Sequence, residues 1–117
     1  MIVDDSETAR RALRTMLRSR SWTICGEAES GAAGVKKFQE LRPDIVILDL
    51  AMPDIDGLET AKRMSAMNPN VPLLLFTIVE IEGLEETARG AGIRAVVTKN
   101  NAWSLIPNIE KLLFFLN

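Results

Sequence analysis

The chain has 117 residues, 47% of them hydrophobic and 26% charged, which predicts one globular domain over residues 1–117. The formal net charge of −2 and the lack of a basic run with interleaved aromatics argue against direct nucleic-acid binding. Because there is no apolar stretch of membrane-spanning length and no signal peptide, we predict a cytoplasmic protein without a membrane partner. The absence of histidine excludes histidine-based catalysis and leaves oxygen ligands for any metal, which favours magnesium, calcium or manganese.

Five short apolar runs, bounded by charged or turn-forming residues, are predicted to be strands. They cover residues 1–3, 22–26, 45–48, 72–76 and 95–97. The third run is the strongest signal, since it consists of four consecutive apolar residues and stops at Asp49, before the loop residues Met52-Pro53 and Asp56-Gly57. The single cysteine, Cys25, lies in the second run and is expected to be a small buried residue.

A helix is predicted after each strand, because apolar residues then recur at helical spacing. These helices are expected to begin after Ser6, after Ser30, at Gly57, at Glu80 and near Ser104. On the first helix, Ala12 and Leu13 are predicted to face inward, with four arginines on the other faces: Arg10, Arg11, Arg14 and Arg18. The second helix is predicted to turn Leu41 inward and to end at Arg42-Pro43, and the fourth to end at Gly90.

Strict alternation of strand and helix predicts a parallel sheet with helices on both faces. At this length it fits the flavodoxin-like α/β fold with strand order 2-1-3-4-5. In that order the first and third strands flank the switch point, so Asp4 and Asp5 meet Asp49 at one edge of the sheet. Thr77 and Lys99 follow the fourth and fifth strands and are expected at the same edge.

Three converging carboxylates repel one another, and a hard divalent cation such as Mg²⁺ offsets that repulsion. The ammonium of Lys99 and the hydroxyl of Thr77 could hold phosphoryl oxygens there, and a metal-bound aspartate can itself accept a phosphoryl group. Singly, these residues have simpler explanations: a capping acid pair, a strand-end threonine and a solvated lysine. Five such residues at corresponding strand ends favour a phosphoryl-transfer site.

Over nearly its whole length the chain resembles the receiver domains of bacterial two-component response regulators, including chemotaxis regulators. The residues that carry the resemblance are Asp4-Asp5, Asp49 with Met52-Pro53 and Asp56-Gly57, Thr77 and Lys99. The resemblance implies that a sensor histidine kinase or phosphotransfer protein phosphorylates Asp49, and that the domain otherwise only phosphorylates and dephosphorylates itself without enzymatic turnover. It implies Mg²⁺ held by Asp5, Asp49, Asp4 through water and the backbone carbonyl of Ala51. Thr77 and Lys99 then bind the phosphoryl oxygens.

Several positions depart from the family pattern. The first strand is short, and Asn100 replaces the usual proline after the lysine, so we expect a trans peptide or local strain there. Val96 stands where an aromatic usually couples to the threonine, and the bulky Ile78 follows that threonine. Ala51 and Val79 occupy positions that tune water attack in the family, and neither orients a water, which predicts a long-lived phosphoaspartate.

The end of the chain carries more apolar surface than one helix face buries, with Trp103 before the last helix and Phe114, Phe115 and Leu116 within it. One explanation is that Phe114 or Phe115 packs on the sheet edge. The other is a patch on the fourth helix, fifth strand and fifth helix, the face with which receiver domains dimerise or dock outputs. Whether the domain stands alone or is excised from a longer chain with an output domain is left open.

Three alternative functions stay open. A receiver-like interaction module that is never phosphorylated is favoured by Asn100, Val96 and the short first strand. A haloacid-dehalogenase-like phosphatase would need two aspartates two positions apart, whereas Asp4 and Asp5 are adjacent. A nucleotide-binding flavodoxin-like protein would need a glycine-rich phosphate loop after the first strand, and none is present.

Overall fold

A computed structural model describes residues 1–114 and contains the predicted alternation of strands and helices. The strands are β1 Ile2–Val3, β2 Glu27–Ala28, β3 Val46–Leu48, β4 Leu73–Thr77 and β5 Ala95–Thr98. The helices are α1 Glu7–Leu17, α2 Gly31–Leu41, α3 Gly57–Met67, α4 Leu84–Gly90 and α5 Leu105–Phe114, with a 3₁₀ segment Lys99–Ser104 before α5. None of these helices is both long and apolar enough to cross a membrane.

The five strands are parallel and lie in the predicted order β2-β1-β3-β4-β5. Because side chains alternate along a strand, the sheet divides its apolar residues between two layers. Val46 and Leu48 pack with α2, α3 and α4, whereas Ile47 packs with α1 and α5. The central strands are buried on both faces, which explains why their sequences read as continuous apolar runs.

Three helices start where the sequence indicated, after Ser6, after Ser30 and at Gly57, and each has a side-chain cap. Ser6 accepts the N–H of Ala9, Ser30 accepts that of Ala33, and Asp56 accepts that of Glu59. The prediction for the start of α5 is confirmed as well, since α5 begins at Leu105 directly after Ser104.

The second strand is the largest correction. It covers Glu27–Ala28 rather than residues 22–26, and Cys25, expected to be buried, is exposed. The pairing register gives the physical reason, because Ile2 lies opposite Glu27 and Val3 opposite Ala28. In this register β1 pairs with Glu27 and Ala28, and residues 22–25 lie outside the pairing, however apolar they are.

The fourth helix is also shorter than predicted, beginning at Leu84 instead of Glu80. Gly83 has a φ of 82°, a left-handed conformation that cannot continue a right-handed helix. Three apolar side chains expected to pack are exposed instead: Ala12, Leu41 and Phe114. The Phe114 ring is 74% exposed, so it does not pack on the sheet edge; Phe115 and Leu116 lie outside the described residues.

Candidate functional site

Asp49 lies directly after β3, at the carboxyl edge of the sheet, and is 8% exposed. Its N–H donates to the carbonyl of Val3, which fixes its backbone to β1. A Cβ at Gly57 would collide with the backbone carbonyl of Asp49, so this position requires glycine. The loop from Asp49 to α3 therefore turns back close to the strand end. This close approach explains why glycine follows Asp56 in the sequence.

The structure brings Asp4 and Asp5 to Asp49, as the predicted strand order required. One carboxylate oxygen from each of the three residues lies within 4.8 Å of the other two. Asp4 is 2% exposed, and its oxygens accept the N–H of Ser6 at 2.9 Å and the ammonium of Lys99 at 3.0 Å. Asp5 is exposed. The two adjacent acids thus differ: one is already held by donors, and the other faces solvent.

Lys99 joins this cluster from the end of β5. Its Nζ lies 3.0 Å from Asp4 Oδ2 and 3.8 Å from Asp49 Oδ1. The ammonium also sits 5.9 Å from the centre of the Phe76 ring, at the edge of cation–π range. The peptide after Lys99 is trans, as expected for Asn100, because residues 1–114 contain no cis peptide bond.

The electrostatics of Asp49 reflect its crowded position. Burial and the negative charge of Asp4 raise its pKa above the ordinary value of 3.8. The Lys99 ammonium and hydrogen bonds from Leu50 N–H and Thr77 hydroxyl act in the opposite direction. On balance the pKa of Asp49 is raised, because the Lys99 ammonium and these hydrogen bonds do not offset burial and the Asp4 charge.

Thr77 is fully buried at the end of β4, and its hydroxyl accepts the N–H of Val79 at 3.2 Å. That contact orients the Thr77 side chain at the Asp49 edge. Ile78 points outward with 66% of its surface exposed, while Val79 is partly buried. Ala51 is exposed in the loop after Asp49.

Arg10 was predicted on an outer helix face, but it has a role beside the acid pair. Arg10 is 8% exposed and donates to the backbone carbonyl of Asp4. Its guanidinium also pairs with Glu7 and, at 3.3 Å, with Glu27. This arginine therefore ties the acid pair to α1 and β2. The first helical turn after an acidic strand end was the available signal, since a side chain there can reach back to the strand.

The residues present fit a hard divalent cation. Three carboxylates converge and face one ammonium, so negative charge is in excess. Carboxylate and backbone carbonyl oxygens are the ligands that Mg²⁺ prefers. The neighbouring charge of Asp4 contributes, after burial, to the raised pKa of Asp49.

Fold and site together define an α/β receiver-type domain, with an acidic cluster and a lysine at the carboxyl edge of a doubly wound sheet. A sequence profile described as the response regulator receiver domain matches residues 1–109. The chain belongs to this family, whose domains operate in two-component signalling.

Individual relatives agree with this assignment. Chemotaxis protein CheY of Listeria monocytogenes is 42% identical over 59 residues, which are 50% of this chain and 50% of that protein. A protein-glutamate methylesterase/protein-glutamine glutaminase of Trichodesmium erythraeum is 45% identical over 65 residues, which are 55% of this chain and 18% of that protein. The match therefore spans half or less of these relatives.

Solved structures share the whole fold. A LuxR-family two-component response regulator from Aurantimonas superimposes with a TM-score of 0.91 at 28% identity, covering 97% of this chain and 82% of that one. The response regulator domain of Thermotoga maritima CheB gives a TM-score of 0.86 at 25% identity, covering 99% and 93%.

Proposed function

We propose that this receiver domain accepts a phosphoryl group on Asp49 from a sensor histidine kinase or a phosphotransfer protein. The observation that carries the proposal is that Asp49, Asp4 and Lys99 share one site, with the Lys99 ammonium within 3.8 Å of both carboxylates. A carboxylate oxygen of Asp49 attacks phosphorus, the bond between phosphorus and the donor nitrogen breaks, and the imidazole leaves with the electron pair. The product is an acyl phosphate.

The other side chains have separate roles in this step. Lys99 and Thr77 bind the phosphoryl oxygens and stabilise the charge that they carry in the transition state. Asp5, Asp49, the carbonyl of Ala51 and, through water, Asp4 would hold Mg²⁺, which when bound neutralises charge on the carboxylates and the phosphoryl oxygens.

The first test is intact mass after incubation with acetyl phosphate, with and without Mg²⁺, on wild type and Asp49→Asn. We expect one added phosphoryl group on wild type only, dependent on Mg²⁺. A folded wild type that gains no mass would instead support a receiver-like interaction module that is never phosphorylated. Turnover of a phosphate ester would support the phosphatase alternative.

We further propose that the phosphoaspartate is long-lived. The side chains at the two positions that would orient an attacking water are those of Ala51 and Val79, and neither has a polar group. The backbone N–H of Val79 is already donated to Thr77. A timed decay of the phosphorylated mass at constant Mg²⁺ measures the lifetime, and decay in Val79→Asn should be faster than in wild type. Rapid loss from wild type contradicts the proposal.

Signal output is proposed to pass through the face formed by α4, β5 and α5, to an output domain or a second receiver. Exposed apolar side chains support this: Ile81 is 60% exposed in the loop before α4, and Trp103 is 79% exposed in the 3₁₀ segment between β5 and α5. Size-exclusion chromatography of phosphorylated wild type against Asp49→Asn tests the dimer. Identical elution leaves an output domain as the remaining partner.

A further inference from the structure

An exposed carboxylate in the loop after β3 caps the N-terminus of α2, which lies 22 and 23 residues earlier in the chain. Gly31 N–H donates to Asp54 Oδ1 at 3.0 Å, and Ala32 N–H donates to Asp54 Oδ2 at 2.8 Å. The helix's own cap, Ser30, accepts only the next N–H, that of Ala33, at 3.1 Å. The free N–H groups of the first turn of α2 are thus shared between a local cap and a distant one.

The sequence of α2 explains why a distant cap matters. Its first turn contains no acidic residue, whereas the first turn of α1 contains Glu7 and that of α3 contains Glu59. Negative charge at a helix N-terminus stabilises the helix dipole. Asp54 supplies that charge from another loop, and the N–H groups that it accepts lower its pKa, which keeps it ionised.

Packing holds the same two segments together. A Cβ on Gly31 would collide with the side chains of Ile55 and Thr60, so the start of α2 lies directly against the loop and the first turn of α3. The loop itself is closed at its ends, because Gly57 N–H donates to the carbonyl of Leu50 at 2.7 Å. Asp54 attaches the middle of this closed loop to α2.

We infer that Asp54 is a positioning residue for the phosphoacceptor site, latching the loop of residues 50–56 onto α2 so that Asp49 and the Ala51 carbonyl keep their places for Mg²⁺. The inference rests on the function proposed above. Asp54 lies three residues after Ala51 and five after Asp49. Its carboxylate joins this loop to the first turn of α2 by two hydrogen bonds. A group that hydrogen-bonds the segment carrying the ligands orients them without touching the metal.

The test compares Asp54→Ala with Ser30→Ala in a calorimetric titration with Mg²⁺ alone. Both variants remove a cap of α2, but only Asp54→Ala releases the phosphoacceptor loop. We expect about 10-fold weaker Mg²⁺ binding for Asp54→Ala, the scale of loss when a residue that orients metal ligands is removed. We expect an intermediate loss for Asp54→Asn and no change for Ser30→Ala. Both alanine variants should melt at lower temperature than wild type. Equal Mg²⁺ affinity in the two alanine variants would overturn the inference and leave Asp54 as a helix cap only.

Failure of the latch can be told from failure of phosphorylation. A wild type that binds Mg²⁺ but takes no phosphoryl group from acetyl phosphate refutes the proposed function, while the titration still decides the latch. If wild type binds no Mg²⁺, amide NMR spectra decide it. Shifted resonances at 49–51 in Asp54→Ala but not in Ser30→Ala support the latch, and shifts confined to residues 31–33 and 53–55 overturn it.

Discussion

The two sides of Asp49 are built differently. On the β1 side, Asp4 is held by the Ser6 N–H, the Lys99 ammonium and, at its backbone carbonyl, the Arg10 guanidinium. On the β5 side, the Thr98 hydroxyl is buried without a hydrogen-bond partner anywhere in residues 1–114.

The helix that covers the β5 side is weakly anchored as well. The α4 helix has seven residues, and its N-cap is Gly83, which has no side chain to accept an N–H of the first turn. Regions with few specific contacts open at lower free energy than the rest of a fold. The acidic half of the domain is thus held by more polar contacts than the α4 side, and we expect the α4 side to rearrange first if the proposed phosphorylation occurs.

The largest expected effect belongs to Lys99, which joins the two halves. Lys99→Ala should slow phosphorylation by acetyl phosphate about 10²–10³-fold, because it removes a preorganised donor near the transferring group. Initial rates from intact mass at saturating Mg²⁺ measure this. Lys36→Ala, which removes an exposed lysine of α2, is the control and should match wild type. A Lys99→Ala rate close to that of wild type would show that Lys99 serves only its ion pair with Asp4.

The rigidity of the acidic half is tested at Arg10. Arg10→Ala should lower the free energy of unfolding by about 1.5–3 kcal/mol, the range for hydrogen bonds to charged groups, because Asp4 and Glu27 lose a buried donor. Urea denaturation measures the change. The neighbouring Arg11→Ala should stay within about 0.5 kcal/mol of wild type, since that side chain is exposed. Equal losses in the two variants would mean that the buried contacts add nothing.

The burial of Asp49 beside Asp4 makes the stability of the fold depend on pH. Because the folded state raises the pKa of Asp49 above 3.8, it holds that proton more tightly than the unfolded chain, and stability falls as pH rises through the raised value. Asp49→Asn should therefore be more stable than wild type near pH 7 without metal. The gain should disappear below the unfolded pKa of 3.8, where the Asp49 carboxyl group is protonated in both the folded and the unfolded state. Urea midpoints of both proteins near pH 7 and below pH 3.8, measured in the presence of EDTA, test this prediction. A gain in stability that persists in acid contradicts the explanation.

The site residues themselves were easier to predict from the sequence than the residues that hold them in place. Asp4, Asp49, Thr77 and Lys99 could be placed because each ends or follows a strand, and parallel strands bring their carboxyl ends to one edge. That inference needs only the order of the strands, which short loops and strict alternation determine.

What could not be predicted depends on contacts between distant segments. Helical periodicity places Arg10 on an outer face, but the side chain bends back to the Asp4 carbonyl. Asp54 belongs to a Pro-Asp-Ile-Asp-Gly loop, where an acid indicates only a turn, yet it caps a helix 22 residues away. Cys25 lies in an apolar run that would be a strand if a neighbour paired with it. In each case the position of the side chain depends on a residue elsewhere in the chain, which the local sequence pattern does not identify.

The smallest expected effects are at the two glycines at the ends of α4. Gly83→Ala should destabilise by about 1–2 kcal/mol, because φ is 82° there and the new Cβ meets nothing within 4 Å, so the cost is that of the left-handed backbone alone. Gly90→Ala, at the other end of α4, also meets open space but should stabilise by up to about 1 kcal/mol.

Urea denaturation and hydrogen exchange of the α4 amides together measure where these changes act. If α4 opens separately from the core, both substitutions alter its exchange rates while the urea midpoint hardly moves. If both effects appear in full at the urea midpoint, α4 unfolds together with the acidic half. The two sides of Asp49 then differ in their contacts but not in their stability.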